Sequence, residues 1–172
     1  MDPEDHSVSK RFTLSDLGFL HGPPLKGAVI VTETARDVLR ADSAAFMVFD
    51  VLAGEMLVRI ATHGLRAGQT YPLHRSAIAP MTDRTDVIAI DDMSQDAPQS
   101  GERSALGEIS TLGPDGNPVV ALAAVDTKPR VLSDLQRHAL RNLAYLITQE
   151  ITLHASFATL EIMAGKRRWS HS

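Results

Sequence analysis

The sequence predicts an α+β domain: one central antiparallel sheet of five to six strands, covered by helices and closed by a long C-terminal helix. Three observations carry this. Between Leu25 and Arg40, Ala28, Val31, Ala35, Val38 and Leu39 return at three- and four-residue intervals, the period of an amphipathic helix. Two later stretches alternate apolar and polar residues, or run continuously apolar, around short turn sequences, which is how paired strands read. From Ser133 a helical pattern continues for about thirty residues with no proline or glycine before Gly165.

Taken in order, residues 1–12 are polar and aperiodic, Thr13–Leu20 is a possible short helical turn ended by Gly22-Pro23-Pro24, and residues 1–24 together form a leader. Pro24 stands where a helix start tolerates proline. After Asp42 the period changes to two. Ala45 to Val51 is apolar on both faces, a central strand, and Met56 to Ala61 follows it across Leu52-Ala53-Gly54 as a hairpin partner. Residues 64–85 are mixed, with a short helix expected near Ser76–Met81. Val87 to Ile90 is a brief strand, and Ala97 to Arg103 a surface loop. Leu106–Leu112 and Val119–Val125 flank Gly113-Pro114-Asp115-Gly116-Asn117, a turn signal, and form a second hairpin. The second of these strands is continuously apolar and belongs mid-sheet, with Leu122 fully buried.

Ser133 and Gln136 make a capping box at the head of the last helix. Leu140, Ala144, Ile147, Ile151, His154 and Ala158 form one seam, and Leu143, Leu146, Leu153, Phe157 and Leu160 a neighbouring one. One seam covers the sheet. The other needs a second partner, either a copy of the chain or, if residues 152–164 fold back, the Leu25–Leu39 helix. The expected division is 1–24 leader, 25–152 domain, and 153–172 helix extension and tail.

Composition narrows the function. Of 172 residues, 44% are hydrophobic and 22% charged, the make-up of a soluble globular chain. There is no cysteine, which excludes disulfides, thiolate metal sites, cysteine nucleophiles and thioether-linked chromophores. A formal charge of −4 speaks against nucleic acid as partner. No apolar run approaches the ~20 residues a membrane helix needs, and the acidic start Met1-Asp2-Pro3-Glu4-Asp5 does not read as a signal peptide. A cytoplasmic location is expected.

The string Val119–Ser133 closely resembles the penultimate strand and exit loop of bacterial GAF domains, with Asp126, Pro129, Arg130, Leu132 and Ser133 at the motif positions. Pro114-Asp115-Gly116, the segment Ile88–Asp96, the turn Ala41-Asp42-Ser43 and His63-Gly64-Leu65 are similar to further landmarks of that family. The resemblance covers about residues 25–152. It departs at Val120, where glycine is usual, and at Glu108-Ile109-Ser110-Thr111, which replaces Gly-x-Pro-Leu. It implies a GAF/PAS-like fold and a regulatory sensor module, often dimeric through its exit helix and often feeding an output domain or partner protein. Family members that reduce methionine sulfoxide work through cysteines, which this chain lacks.

Candidate site residues are few. By alternation Arg59, Glu108 and Ser110 are the polar side chains best placed to line a pocket on one sheet face, and His74 lies near the same region. His63 and His74 with Asp91 match no metal-ligand spacing, and a lone histidine could serve a haem, but polar residues at strand ends is the simpler reading. Asp91, Asp92 and Asp96 lack the glycine and terminal glutamate of a calcium loop and are expected to bind turn amides. Asp126 is expected to cap the loop that Pro129 stiffens. No nucleophile elbow, phosphate loop or zinc-protease motif occurs. The expectation is a non-enzymatic domain that senses an unidentified small molecule in a pocket between sheet and helices and signals through the packing of a homodimer, the alternative being a ligand-free scaffold for dimerisation or docking. The sequence names no cofactor.

Overall fold

The computed structural model describes residues 22–50, 53–72, 87–90, 105–112 and 118–169. Helix α1 (Lys26–Leu39) leads into β1 (Ser43–Asp50) and β2 (Glu55–Ala61); β3 (Thr70–Pro72), β4 (Ile88–Ile90), β5 (Ala105–Leu112), β6 (Pro118–Asp126) and α2 (Asp134–Trp169) follow. The strands form one six-stranded sheet in the order β3-β2-β1-β6-β5-β4, each neighbour antiparallel. The two most apolar strands, β1 and β6, lie at its centre with Phe46 opposite Leu122 and Ala45 opposite Ala123. The sequence-predicted strands are all present. To them the structure adds β3, three residues too short to show a period. The expected helix near Ser76–Met81, the turn at Thr13–Leu20, the turn Gly113–Asn117, the loop at 97–103 and the Asp91–Asp96 cluster lie outside the described residues.

Both helices lie on one side of the sheet. Ala28, Val31, Ala35 and Leu39 of α1 and Leu140, Ala144, Ile147 and Ile151 of α2 share a core with Phe46, Val48, Ile109, Val120 and Leu122. The buried hydroxyl of Thr32 is satisfied within its own helix, donating to the Ala28 carbonyl at 2.7 Å. Close approach is built in at Gly107: a Cβ there would stand 2.5 Å from Leu132 Cδ1, so the missing side chain lets the start of α2 settle on β5.

The helices run antiparallel. At one end the Gly27 N–H donates to Glu150 Oε1 at 3.1 Å; at the other the Gln136 amide donates to the Leu39 carbonyl at 2.9 Å. Glu150 thereby places a carboxylate on the first turn of α1, which has no side-chain cap of its own, where the helix dipole favours negative charge. A Cβ at Gly27 would meet Glu150 Oε2 at 1.9 Å, so glycine is what lets the carboxylate in.

The Ser133–Gln136 capping box forms as expected: the Ser133 N–H donates to Gln136 Oε1 at 3.0 Å and the Gln136 N–H to Ser133 Oγ at 3.2 Å. Helix α2 then runs 36 residues, about 54 Å at the standard rise, and passes through Gly165. The fold-back of residues 152–164 onto Leu25–Leu39 is not what occurs. Residues 136–155 of α2 pack on α1 and the helix-side core, and the remainder continues in the same helix. No helix among the described residues is long and apolar enough to cross a membrane.

Candidate functional site

Two arrangements stand out. The first is a polar clasp where α1, β6 and α2 meet. Asp126, buried at the end of β6, accepts a hydrogen bond from the Asp42 N–H at 3.0 Å and forms an ion pair with Arg130, Nε to Oδ2 2.6 Å. The Nε–H lies off the hydrogen-bond line, so this contact is electrostatic. Asp42 returns the connection, accepting at Oδ2 from the Thr127 hydroxyl at 2.6 Å and the Thr127 N–H at 2.8 Å. The Arg130 guanidinium also donates to the Leu39 carbonyl at 2.6 Å and the Arg40 carbonyl at 3.3 Å, the unsatisfied acceptors at the C-terminus of α1. Asp126 does more than cap its own loop. It ties two loops separated by more than eighty residues.

Removing the Asp126 carboxylate leaves the part-buried Asp42 N–H and the Arg130 charge without their acceptor. Asp126→Ala is expected to cost about 1–3 kcal/mol by urea denaturation. Asp126→Asn, which keeps an acceptor for Asp42, should cost less.

Hydrogen bonds from the Thr127 hydroxyl and N–H, with the positive charges of Arg130 and Lys128 nearby, hold the Asp42 carboxyl below its ordinary 3.8. A folded-state value below the unfolded one stabilises the fold above the unfolded value and loses that contribution as pH falls through the folded one. The loss therefore sits below about pH 4. Comparing denaturation midpoints from pH 6 to pH 2, Asp42→Asn should show a shallower acid decline than the parent chain.

The second arrangement is the sheet face turned away from the helices. Ala45, Met47 and Phe49 of β1, Met56 and Val58 of β2, and Ala121 and Ala123 of β6 form a separate buried cluster, with Leu65, Tyr71 and Ile88 packed at its margin. Three alanines lie together at its centre, Ala123 opposite Ala45 and Ala121 opposite Met47. Glu108 and Ser110 of β5 take register positions opposite Ala123 and Ala121. Arg59 does not join them. A register shift between β1 and β2 at Phe46/Met47 interrupts the alternation, and the Arg59 guanidinium donates to the Gly22 carbonyl just ahead of α1. The single polar face expected from Arg59, Glu108 and Ser110 is thus divided. His74 lies outside the described residues. His63 is exposed just past β2, its carbonyl accepting from Ser43 Oγ. The burial of β1 and β6 on both faces was legible in their apolar runs; the alanine floor was not singled out, and the Asp42–Asp126 connection carried no sequence signal beyond the family string.

No family model matches the chain, and no curated protein does. Solved structures do match. The GAF domain of a phosphoenolpyruvate-protein phosphotransferase from Coxiella burnetii aligns with a TM-score of 0.65 at 16% identity, over 77% of this chain and 84% of that one. Free methionine-R-sulfoxide reductase from Neisseria meningitidis, in complex with its substrate, aligns at 0.61 and 14% identity over 77% and 81%. The chromophore-binding domain of a bacteriophytochrome from R. palustris aligns at 0.62 and 15% identity over 76% of this chain; the match spans 56% of that one. The chain therefore has the GAF fold, and sensory and signalling proteins are among its structural neighbours.

Proposed function

We propose that this is a regulatory, non-enzymatic GAF domain of the cytoplasm that takes a small molecule on the outer sheet face and passes its state on through the packing of a homodimer. The observation that carries the reading is the division of α2. Ala144, Ile147 and Ile151 are buried on the sheet side, while Leu153, Phe157 and Leu160 are each about 60% exposed beyond it. Exposed apolar side chains in such a row mark an interaction surface. The clasp ties the loop that leads into this helix to the end of β6 and to α1.

The ligand half of the reading rests on the floor of Ala45, Ala121 and Ala123, with Glu108 and Ser110 at the neighbouring register positions of β5 as the polar candidates. Native mass spectrometry of freshly purified chain should show an added small mass, lost in Glu108→Gln with Ser110→Ala. A ligand at a hundred times its Kd should raise stability by about 2.7 kcal/mol, visible as a melting shift in a screen of cyclic nucleotides, amino acids and small carboxylates. A second reading, the ligand-free scaffold, is favoured by the burial already present on that face: Phe49 is 2% exposed, Ala121 0% and Ala123 2%. No adduct and no shift would decide for the scaffold.

A further inference from the structure

The two ends of α1 are fastened to its surroundings by unequal means. At the C-terminus the Arg130 guanidinium and the Gln136 amide between them donate to the Leu39 and Arg40 carbonyls. Arg40, in the left-handed conformation, ends the helix with its own N–H on the Asp37 carbonyl and the Ala41 N–H on that of Arg36. Side chains and backbone serve that end together. The N-terminus has no such reserve. Leu25 is its N-cap and makes no side-chain bond, and the first turn carries no acidic residue. Gly22 and Pro23, each followed by proline, are kept out of helical conformation, so the helix cannot begin earlier on another cap. Lys26 sets a positive charge at the positive end of the helix dipole, and Gly27 is a poor helix former. Local signals thus oppose a helix starting at Lys26, and the Glu150 carboxylate supplies from α2 what they lack.

We infer that the contact between Glu150 and Gly27 is a latch: with α2 seated it keeps the first turn of α1 formed, and when α2 moves off, Lys26–Val29 unwinds while the far end of α1 stays fastened. The inference rests on neither the ligand nor the homodimer. Glu150 stands beside Ile151, the last residue of the buried seam of α2, so the latch sits where that helix leaves the core. The space it fills is already shaped for it, since only a residue without Cβ at position 27 admits the carboxylate. A half-buried carboxylate can return to water without leaving an unpaired charge behind, which makes this fastening a releasable one. Coupling of this kind is reciprocal. A pull on the segment ahead of Leu25 frees Glu150, and a displacement of α2 frees that segment.

Amide hydrogen exchange of the full chain, read residue by residue by NMR, tests the latch. The Val29 N–H bonds the Leu25 carbonyl at 3.2 Å, not Glu150, so it reports the turn rather than the contact itself. In Glu150→Ala, Val29 should exchange about tenfold faster or more, as expected for loss of a hydrogen bond to a charged group, while Ala35 and Leu122 change by less than about twofold. No acceleration at Val29, with or without one at Gly27, overturns the latch, because no turn then depends on the carboxylate. Equal acceleration at Val29, Ala35 and Leu122 overturns it too, by making Glu150 a stabiliser of the whole fold. Gly27→Ala closes the space and displaces the carboxylate, and its gain in helix propensity is common to both chains of the second comparison. In that background, adding Glu150→Ala should change Val29 exchange by less than about twofold. A further rise as large as in the parent background would show that Glu150 acts on the turn from elsewhere, and overturns the assignment to Gly27.

Discussion

Leu122→Ala is expected to lower the stability of the folded chain by about 2–5 kcal/mol, read from chemical denaturation. Leu122 is 1% exposed and stands opposite Phe46 on one side and Ile109 on the other, in the strand that also meets both helices through the common core. Truncation there removes a transfer term and leaves a cavity bounded by a rigid sheet, which closes poorly. A loss under about 1 kcal/mol would mean that β6 is not the centre of the fold.

The other large effect concerns association. Leu153→Glu combined with Leu160→Glu puts four carboxylates into two adjacent layers of the α2 pair and removes four leucines from it. At about 1.5–3 kcal/mol per buried leucine, before any charge repulsion, the dissociation constant should rise by three orders of magnitude or more. Analytical ultracentrifugation should find the parent chain dimeric and the double variant monomeric at tens of micromolar. The melting temperature of the variant, once dissociated, should stay near that of the parent monomer, because both positions are exposed and lie past the sheet. Equal sedimentation of the two proteins would remove helix pairing as the route of output.

The helices and the main strands were readable from the sequence because their signals are local. A period of 3.6 marked α1 and α2, a run of apolar residues marked β1 and β6, and Ser133 with Gln136 marked the start of α2. What escaped depended on residues far apart or on counting through an irregularity. β3 is three residues long and, among the described residues, pairs only with β2, so it has no pattern to find. The assignment of Arg59 to the face of Glu108 assumed unbroken alternation, and the register shift at Phe46/Met47 breaks it. Glu150 reads as a surface carboxylate on a helix until Gly27, across the helix pair, is seen to receive it. Asp126 and Arg130 were marked by the family string alone, because their contacts to Asp42, Leu39 and Arg40 belong to the tertiary fold.

The length of α2 beyond its fastening has a mechanical consequence. The helix is held from Gln136, which bonds the Leu39 carbonyl, through Glu150, which bonds Gly27, as far as Ala155 at the margin of the helix-side core. From there to Trp169 it extends about 21 Å at 1.5 Å per residue. A rigid rod magnifies rotation into travel: a tilt of about 10° of the held segment moves the free end by roughly 4 Å, most of one helical turn of 5.4 Å. A rotation of α2 against the sheet would thus arrive at Trp169 as a displacement approaching the spacing between turns.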